Sequence, residues 1–355
     1  AGRTPRRRTG RAPLRPPNRI AVNTMDAASA RQVPWVRWCG IIALAAAVSG
    51  AHAEDSAPQR PAPVRERFLD WPHDRLSHLV ERVAQGADSL LSGNRDYDAP
   101  TGSYAVLGEA LTAYRGDDAA DSHRAITRLK LNLPRTEDRL QVLIDRGLAT
   151  LTRSDAQRDA EVAAGQTASD NSPFAALRLL VVDVLRLRVT TDVGAKIRVP
   201  FDPFARLRAD RSMPIGPWTA LFSQTFLYSR QNDFQSNTQM AFQRPLTSSV
   251  SFALVSDATW RSPEHAFQLS QTATLLWQQN ERTLVGFEAG LLGTTEPRTE
   301  ITAHSFSARW RRQLYRQWLI LEARPQLVYA RDRGFRPLPS LTVQVEAFFG
   351  QEFLR

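Results

Sequence analysis

The chain has 355 residues, with 46 Lys and Arg against 36 Asp and Glu and 42% hydrophobic residues. No apolar run reaches the roughly 18–20 residues that a membrane-spanning helix needs, so bundles of such helices are excluded. Its single cysteine, Cys39, excludes internal disulfides and thiolate metal sites.

Residues 1–24 hold seven Arg and no acid, a composition that by itself suits a nucleic-acid-binding arm. Further on, Arg31 and Arg37 precede the apolar run Ile41 to Val48, and Ala51-His52-Ala53 stands before Glu54. A basic region, a short apolar region and an Ala-x-Ala site make a secretory signal peptide over residues 25–53, with cleavage expected between Ala53 and Glu54. Met25 is then the expected start, and residues 1–24 are read as upstream translation. Taking residues 1–53, with nine Arg and one acid, from 46 bases and 36 acids leaves 37 and 35, a net charge of +2 rather than +10. No nucleic-acid partner is expected of a mature chain so nearly neutral.

Residues 54–101 open with a Pro-rich leader and continue as an amphipathic helix from Asp70 or Trp71 to about Leu91. Leu76, Leu79, Val80, Val83, Ala87, Leu90 and Leu91 form one stripe of a 3.6-residue period. Pro72 is placed in the first turn and Gly93 just past the end. The stripe is expected to pack on whatever follows.

From residue 102 to 355 the period is 2, broken by Gly, Pro, Asn and Asp clusters. The expected strands are 103–115, 120–134, 138–147, 174–183, 185–199, 203–213, 217–231, 233–245, 248–260, 264–279, 281–295, 299–314, 316–332 and 338–350. Residues 185–199 alternate most strictly: Leu185, Leu187, Val189, Val193, Ile197 and Val199 on one face, Arg186, Arg188, Asp192, Lys196 and Arg198 on the other. A tilted strand crosses a bilayer in about 9–11 residues. Trp and Tyr fall near strand ends (Trp218, Tyr228, Trp260, Trp277, Trp310, Tyr315, Trp318, Tyr329). Long two-faced strands with aromatic ends predict an all-β fold, a transmembrane antiparallel β-barrel of about fourteen strands, with twelve to sixteen compatible. A short periplasmic helix precedes it. With the helix in the periplasm, the longest connection, 148–173, is extracellular and the tight turns are periplasmic. A monomer is expected, because no strand carries an obviously non-lipid outer patch.

Leu-Asn-Leu-Pro-Arg (131–135), Pro-Phe-Asp-Pro-Phe-Ala-Arg-Leu-Arg-Ala (200–209), Leu-Tyr-Arg-Gln-Trp-Leu-Ile-Leu-Glu-Ala-Arg-Pro (314–325) and Leu-Thr-Val-Gln-Val-Glu-Ala-Phe-Phe-Gly (341–350) carry a resemblance. On these segments the chain resembles a family of uncharacterised proteobacterial outer-membrane β-barrel proteins, over roughly residues 70–350. The shared motifs are structural and imply no activity. Alternating Val345 and Phe349 read as the C-terminal assembly signal, although the tail Gln-Glu-Phe-Leu-Arg leaves Phe353 as the other candidate for its last aromatic.

The polar faces place Arg128, Lys130, Arg186, Arg188, Lys196, Arg198, Arg206, Arg208 and Arg324 toward the lumen, with Arg309 beside them. Rings of bases favour anions, because a guanidinium pairs bidentately with carboxylate or phosphate. The same bases could instead pair with Asp183, Asp192, Asp210, Glu288, Glu322 and Glu346, and both readings stand. For catalysis, His304 and Ser305 are adjacent and so point to opposite faces, which defeats a Ser–His pair. His73 and His78 lack metal-ligand spacing, so no catalytic residue, metal or cofactor is expected. Asp117, Asp118 and Asp121 read as a solvated acidic loop. The expected partners are outer-membrane lipid and lipopolysaccharide, the barrel-assembly machinery, and anionic solutes or polyanions. The expected function is a porin-like channel in the outer membrane. The rivals are a closed barrel with a structural, assembly or anchoring role and, third, a membrane-embedded hydrolase.

Overall fold

The computed structural model describes residues 64–92, 101–115, 121–134, 139–146, 157–158, 160–161, 172–231, 233–262 and 264–353. The expected signal-peptide boundary at Ala51, Ala53 and Glu54, the upstream segment 1–24, and Asp117 and Asp118 lie outside the described residues. One helix, α1 (Val64–Ser92), precedes fourteen strands. The strands are β1 (Tyr104–Tyr114), β2 (Ser122–Leu133), β3 (Leu140–Arg146), β4 (Pro173–Val184), β5 (Leu187–Lys196), β6 (Asp202–Ile215), β7 (Trp218–Ser229), β8 (Asp233–Pro245), β9 (Val250–Arg261), β10 (Ala266–Asn280), β11 (Thr283–Thr294), β12 (Glu300–Tyr315), β13 (Leu319–Ala330) and β14 (Pro337–Phe349). Each pairs antiparallel with its neighbours in sequence, and β1 pairs with β14, so the sheet closes on itself as a barrel. Closure leaves no unpaired edge, the condition for a sheet to survive in hydrocarbon.

Residues paired across antiparallel strands share a face, so one pairing propagates the inward parity around the whole wall. Val106 and Gly108 of β1 face inward with Arg128 of β2 and Glu346 of β14. The same register carries inward parity to Asp192, Arg206, Thr225, Asn237, Asp257 and Glu322. The inner wall is polar and largely buried, whereas Leu107, Leu177, Val193, Leu207, Phe287 and Leu291 stand exposed on the outer one. Outward aromatics gather at two levels. Trp218, Trp277 and Tyr315 stand at the end shared with α1, and Tyr228, Trp260 and Tyr329 stand at the far end. An apolar outer band between two aromatic levels is the face distribution of a transmembrane barrel.

Connections at the helix end are short: residues 185–186, 216–217 and 281–282 are two-residue turns. Far-end connections are longer, with 147–172 joining β3 to β4. Two expectations need correction. The alternation over 185–199 is not one strand, because Leu185 (φ 50°) and Arg186 (φ 64°) are the left-handed corner of the β4–β5 hairpin and β5 is the ten residues Leu187–Lys196. A two-residue turn of ordinary side chains leaves the alternation unbroken, so it is invisible to periodicity. The helix is 29 residues rather than short, and it carries Pro72 inside it rather than in its first turn.

The outer wall is not uniformly apolar. Gln224, Ser236 and Thr238 on β7 and β8 have outward parity, as do Ser256 and Gln271 on β9 and β10. Within these groups Gln224 Nε2 donates to Ser236 Oγ (3.0 Å), Thr238 Oγ1 to Gln224 Oε1 (2.6 Å) and Ser256 Oγ to Gln271 Oε1 (2.8 Å). Such mutual satisfaction lowers the cost of facing lipid. It also removes the uniformly apolar surface on which the monomer expectation rested.

Candidate functional site

The lumen carries the charged chemistry of this chain. At mid-height on β4, β5 and β6, one carboxylate is held by two guanidiniums. Arg178 Nε donates to Asp192 Oδ1 (2.7 Å) and its Nη2 to Oδ2 (3.2 Å), while Arg206 Nε donates to Oδ2 at 2.6 Å and its Nη2 closes a second bond there. Arg178 is one-fifth exposed, so this triad keeps a cationic edge toward the lumen while Asp192 and Arg206 are buried. Arg208 chelates Asp210 with Nε–O distances of 2.8 and 2.9 Å.

A second group lies on β2, β12, β13 and β14, nearer the helix end. Glu346 accepts from Arg128 Nη1 (3.4 Å) and Arg311 Nη2 (3.1 Å), and Arg128 Nε also lies 4.0 Å from Asp145. Glu322 is flanked by Arg309 (3.6 Å), Arg311 (3.6 Å) and Arg324 (3.7 Å). Arg128 reaches β14 across β1, where Gly108 stands between them. A Cβ there would lie 2.5 Å from the Val345 carbonyl oxygen, so only glycine permits that approach.

The nine expected lumen bases are therefore distributed. Arg128, Arg206, Arg208 and Arg324 lie on the inner wall in these groups. Lys130 has inward parity on β2, opposite Tyr104. Lys196 is buried at the far end, where Nζ lies 2.9 Å from Asp202 and 3.2 Å from Ser229 Oγ. Arg198 joins the same carboxylate from the bend beyond β5. Arg188 is an exposed rim residue 3.0 Å from Asp183. Arg186 is not on the inner wall at all, since it occupies the exposed hairpin corner. Periodicity missed Arg178 and Arg311, although a lone Arg in Leu177-Arg178-Leu179 is the mark of an apolar strand with one inward charge.

Apolar side chains also enter the lumen. Leu143, Phe174, Ala176 and Phe204 cluster inside the far half of β3 to β6, with Leu227 against them. On the opposite wall, Ala160 of the β3–β4 connection packs on the inward-facing Leu292, Ala303, Val328 and Ala330. Gln157 Nε2 donates to the inward Ser270 Oγ at 2.7 Å. Helical residues 157–158 and 160–161 thus lie against the inner wall at β10 to β13.

His304 stacks outside on Tyr329 (4.8 Å) and Phe335 (5.5 Å), whereas Ser305 is buried on the inner wall, so the two are not a pair. At the C-terminal end Val345 has outward parity and Phe349 closes β14. Its ring is buried and lies 5.4 Å from His73 of α1, while Phe353 turns back onto Phe348 (5.5 Å).

No protein-family model and no curated protein matches the chain. Among solved structures it is similar to OprB of Pseudomonas putida at high pH, with 9% identity over 70% of this chain and 93% of that one and a TM-score of 0.45. It is similar to the outer membrane channel DcaP of Acinetobacter baumannii, with 7% identity, 70% and 96% coverage and a TM-score of 0.43. It is also similar to a KdgM porin in complex with disordered oligogalacturonate, with 9% identity, 50% and 92% coverage and a TM-score of 0.33. At these identities and scores the likeness is one of barrel architecture.

Proposed function

We propose that this chain is a porin-like barrel of the outer membrane, with α1 on the periplasmic side and a narrow lumen that passes small anionic solutes. The observation that carries the reading is the triad in which two guanidiniums share the Asp192 carboxylate. It leaves one net positive charge at mid-height of the lumen, and a charged constriction selects by the sign it presents. The apolar band between aromatic levels supports placement in a bilayer among outer-membrane lipid and lipopolysaccharide. An aromatic-ended last strand suits delivery by the barrel-assembly machinery.

Purified protein in planar bilayers tests this. Channel openings with reversal potentials on the anion-selective side are expected, and Arg206→Gln, which leaves the Arg178–Asp192 pair neutral, lowers the anion-over-cation permeability ratio several-fold. Absence of openings at any salt concentration overturns the channel. An unchanged reversal potential in Arg206→Gln overturns the role of the triad.

One observation favours a second reading. Glu322, Arg324, Gln326, Thr342, Gln344 and Glu346 on the inner wall are all buried, and Gln157, Arg158, Ala160 and Glu161 are buried as well, with Ala160 packed on the inner wall. A lumen packed in this way suits a closed barrel with a structural role, and that reading predicts no conductance in the same experiment.

A further inference from the structure

Helix α1 lies on the outside of the barrel's end. At that rim Leu131, Leu133 and Phe349, all of outward parity, are buried. The helix packs against β1, β2 and β14 there, and its Asp70 reaches the outward Tyr315.

The face it docks is not its apolar one. His73 (2% exposed), Ser77 (0%), Glu81 (3%), Ala84 (0%) and Asp88 (1%) are buried, whereas Leu76 (39%), Leu79 (47%) and Val83 (47%) stand open. This corrects the expectation that the Leu/Val stripe packs on the barrel. Polar side chains win the docking because the rim offers them specific partners. His73 Nε2 pairs with the Phe348 carbonyl oxygen (2.9 Å), Ser77 Oγ accepts from Gly350 N (3.1 Å) and Glu81 accepts from Thr101 N (2.9 Å) and Oγ1 (3.0 Å).

At about 100° per residue, the open apolar stripe is centred about 130° to one side of the docked face. Arg75, His78 and Arg82, all exposed, are centred about 130° to the other side. The helix therefore has three faces: one bonded to the barrel, one apolar and one cationic.

We infer that α1 is an interfacial membrane helix, its Leu76–Leu79–Val83 face set into the acyl–headgroup boundary of the leaflet at the barrel's helix end. Arg75 and Arg82 then meet the anionic phosphates of that leaflet's phospholipids. Two features of the molecule choose lipid as the occupant. The wall it rests on turns apolar residues outward, among them Ala105, Leu107, Leu129, Val343 and Val345, and the cationic flank complements phosphate headgroups, the arrangement of helices that lie in a membrane plane. The inference rests on the membrane reading above.

Site-directed quenching tests it. In a Cys39→Ala background, single cysteines at Leu79→Cys, Val83→Cys, His78→Cys, Arg82→Cys and Val193→Cys carry an environment-sensitive fluorophore on the full barrel in phospholipid vesicles. Nitroxide-labelled phospholipid is expected to quench positions 79 and 83 several-fold more than aqueous iodide does, and the order to reverse at 78 and 82. Equal iodide quenching at all four helix positions overturns the inference, as does a probe at 79 and 83 that neither quencher reaches. Position 193, on the outer wall, separates the two failures. Lipid quenching there with none at 79 and 83 sinks the helix assignment alone, and no lipid quenching at 193 sinks the membrane reading itself.

Discussion

Leu185 and Arg186 both hold a left-handed backbone, which costs an ordinary L-residue about 1–2 kcal/mol. The corner tolerates them because a two-residue hairpin between right-twisting strands demands positive φ at both central positions. Replacing the pair with Asn-Gly should therefore stabilise the barrel by about 1 kcal/mol or more, read as a higher urea midpoint in detergent. The same change leaves the anion-over-cation permeability ratio where it was, since Arg186 lies off the inner wall. A reversal potential that moves with this substitution would show that the turn arginine faces the permeating ion. Within the lumen the residue-level lesson is pairing. A guanidinium on a polar strand face announces its side of the sheet, but its partner depends on register: Arg128 finds Glu346 some 218 positions away, and no spacing in the chain records that.

The elements differ in how far composition reveals them. All fourteen strands follow from alternation, because the period of 2 holds wherever one face meets lipid and the other a polar interior. Helix α1 was legible as a helix, and its apolar stripe was legible too, yet the docking face was not. Which stripe binds is decided by the carbonyl of Phe348 and the amides of Gly350 and Thr101, groups that exist only at the finished rim. Glu81 is the strongest single link, a buried carboxylate accepting two hydrogen bonds from Thr101. Glu81→Ala should destabilise the docked helix by about 1.5–3 kcal/mol, the usual value of a hydrogen bond to a charged group. Limited proteolysis would register it as faster cleavage within 69–88 while the barrel keeps its heat-modifiable gel mobility. Wild-type cleavage rates would mean that the apolar stripe, not the polar one, holds the helix.

For the molecule as a whole, the division into a turn end and a loop end was readable from connection lengths, and the longest far-end connection was identifiable by its size. Its destination was not. Residues 157–161 carry no outstanding composition, and Ala160 becomes an anchor only because Leu292, Ala303, Val328 and Ala330 from three strands converge on it. Gln157 and Ala160 of this connection meet the inner wall made by β10 to β13, where they would narrow a passage through the barrel. Replacing residues 150–169 with a short Gly-Ser linker should raise single-channel conductance at least twofold and weaken the dependence of selectivity on Arg206. Conductance unchanged by the replacement would place the narrowest point at the ion-paired groups nearer the helix end.

The bonds that hold α1 link the two ends of the barrel's own sequence: Glu81 grips the approach to β1, and His73 and Ser77 grip the exit from β14. The seat for the helix is therefore absent until the first strand has met the last. An element that emerges early from the ribosome must wait for the final pairing before it can settle. Until then the ring of Phe349, which His73 stacks against in the finished molecule, lies bare. Seating the helix thus marks the end of assembly and covers the aromatic that an unclosed wall still displays.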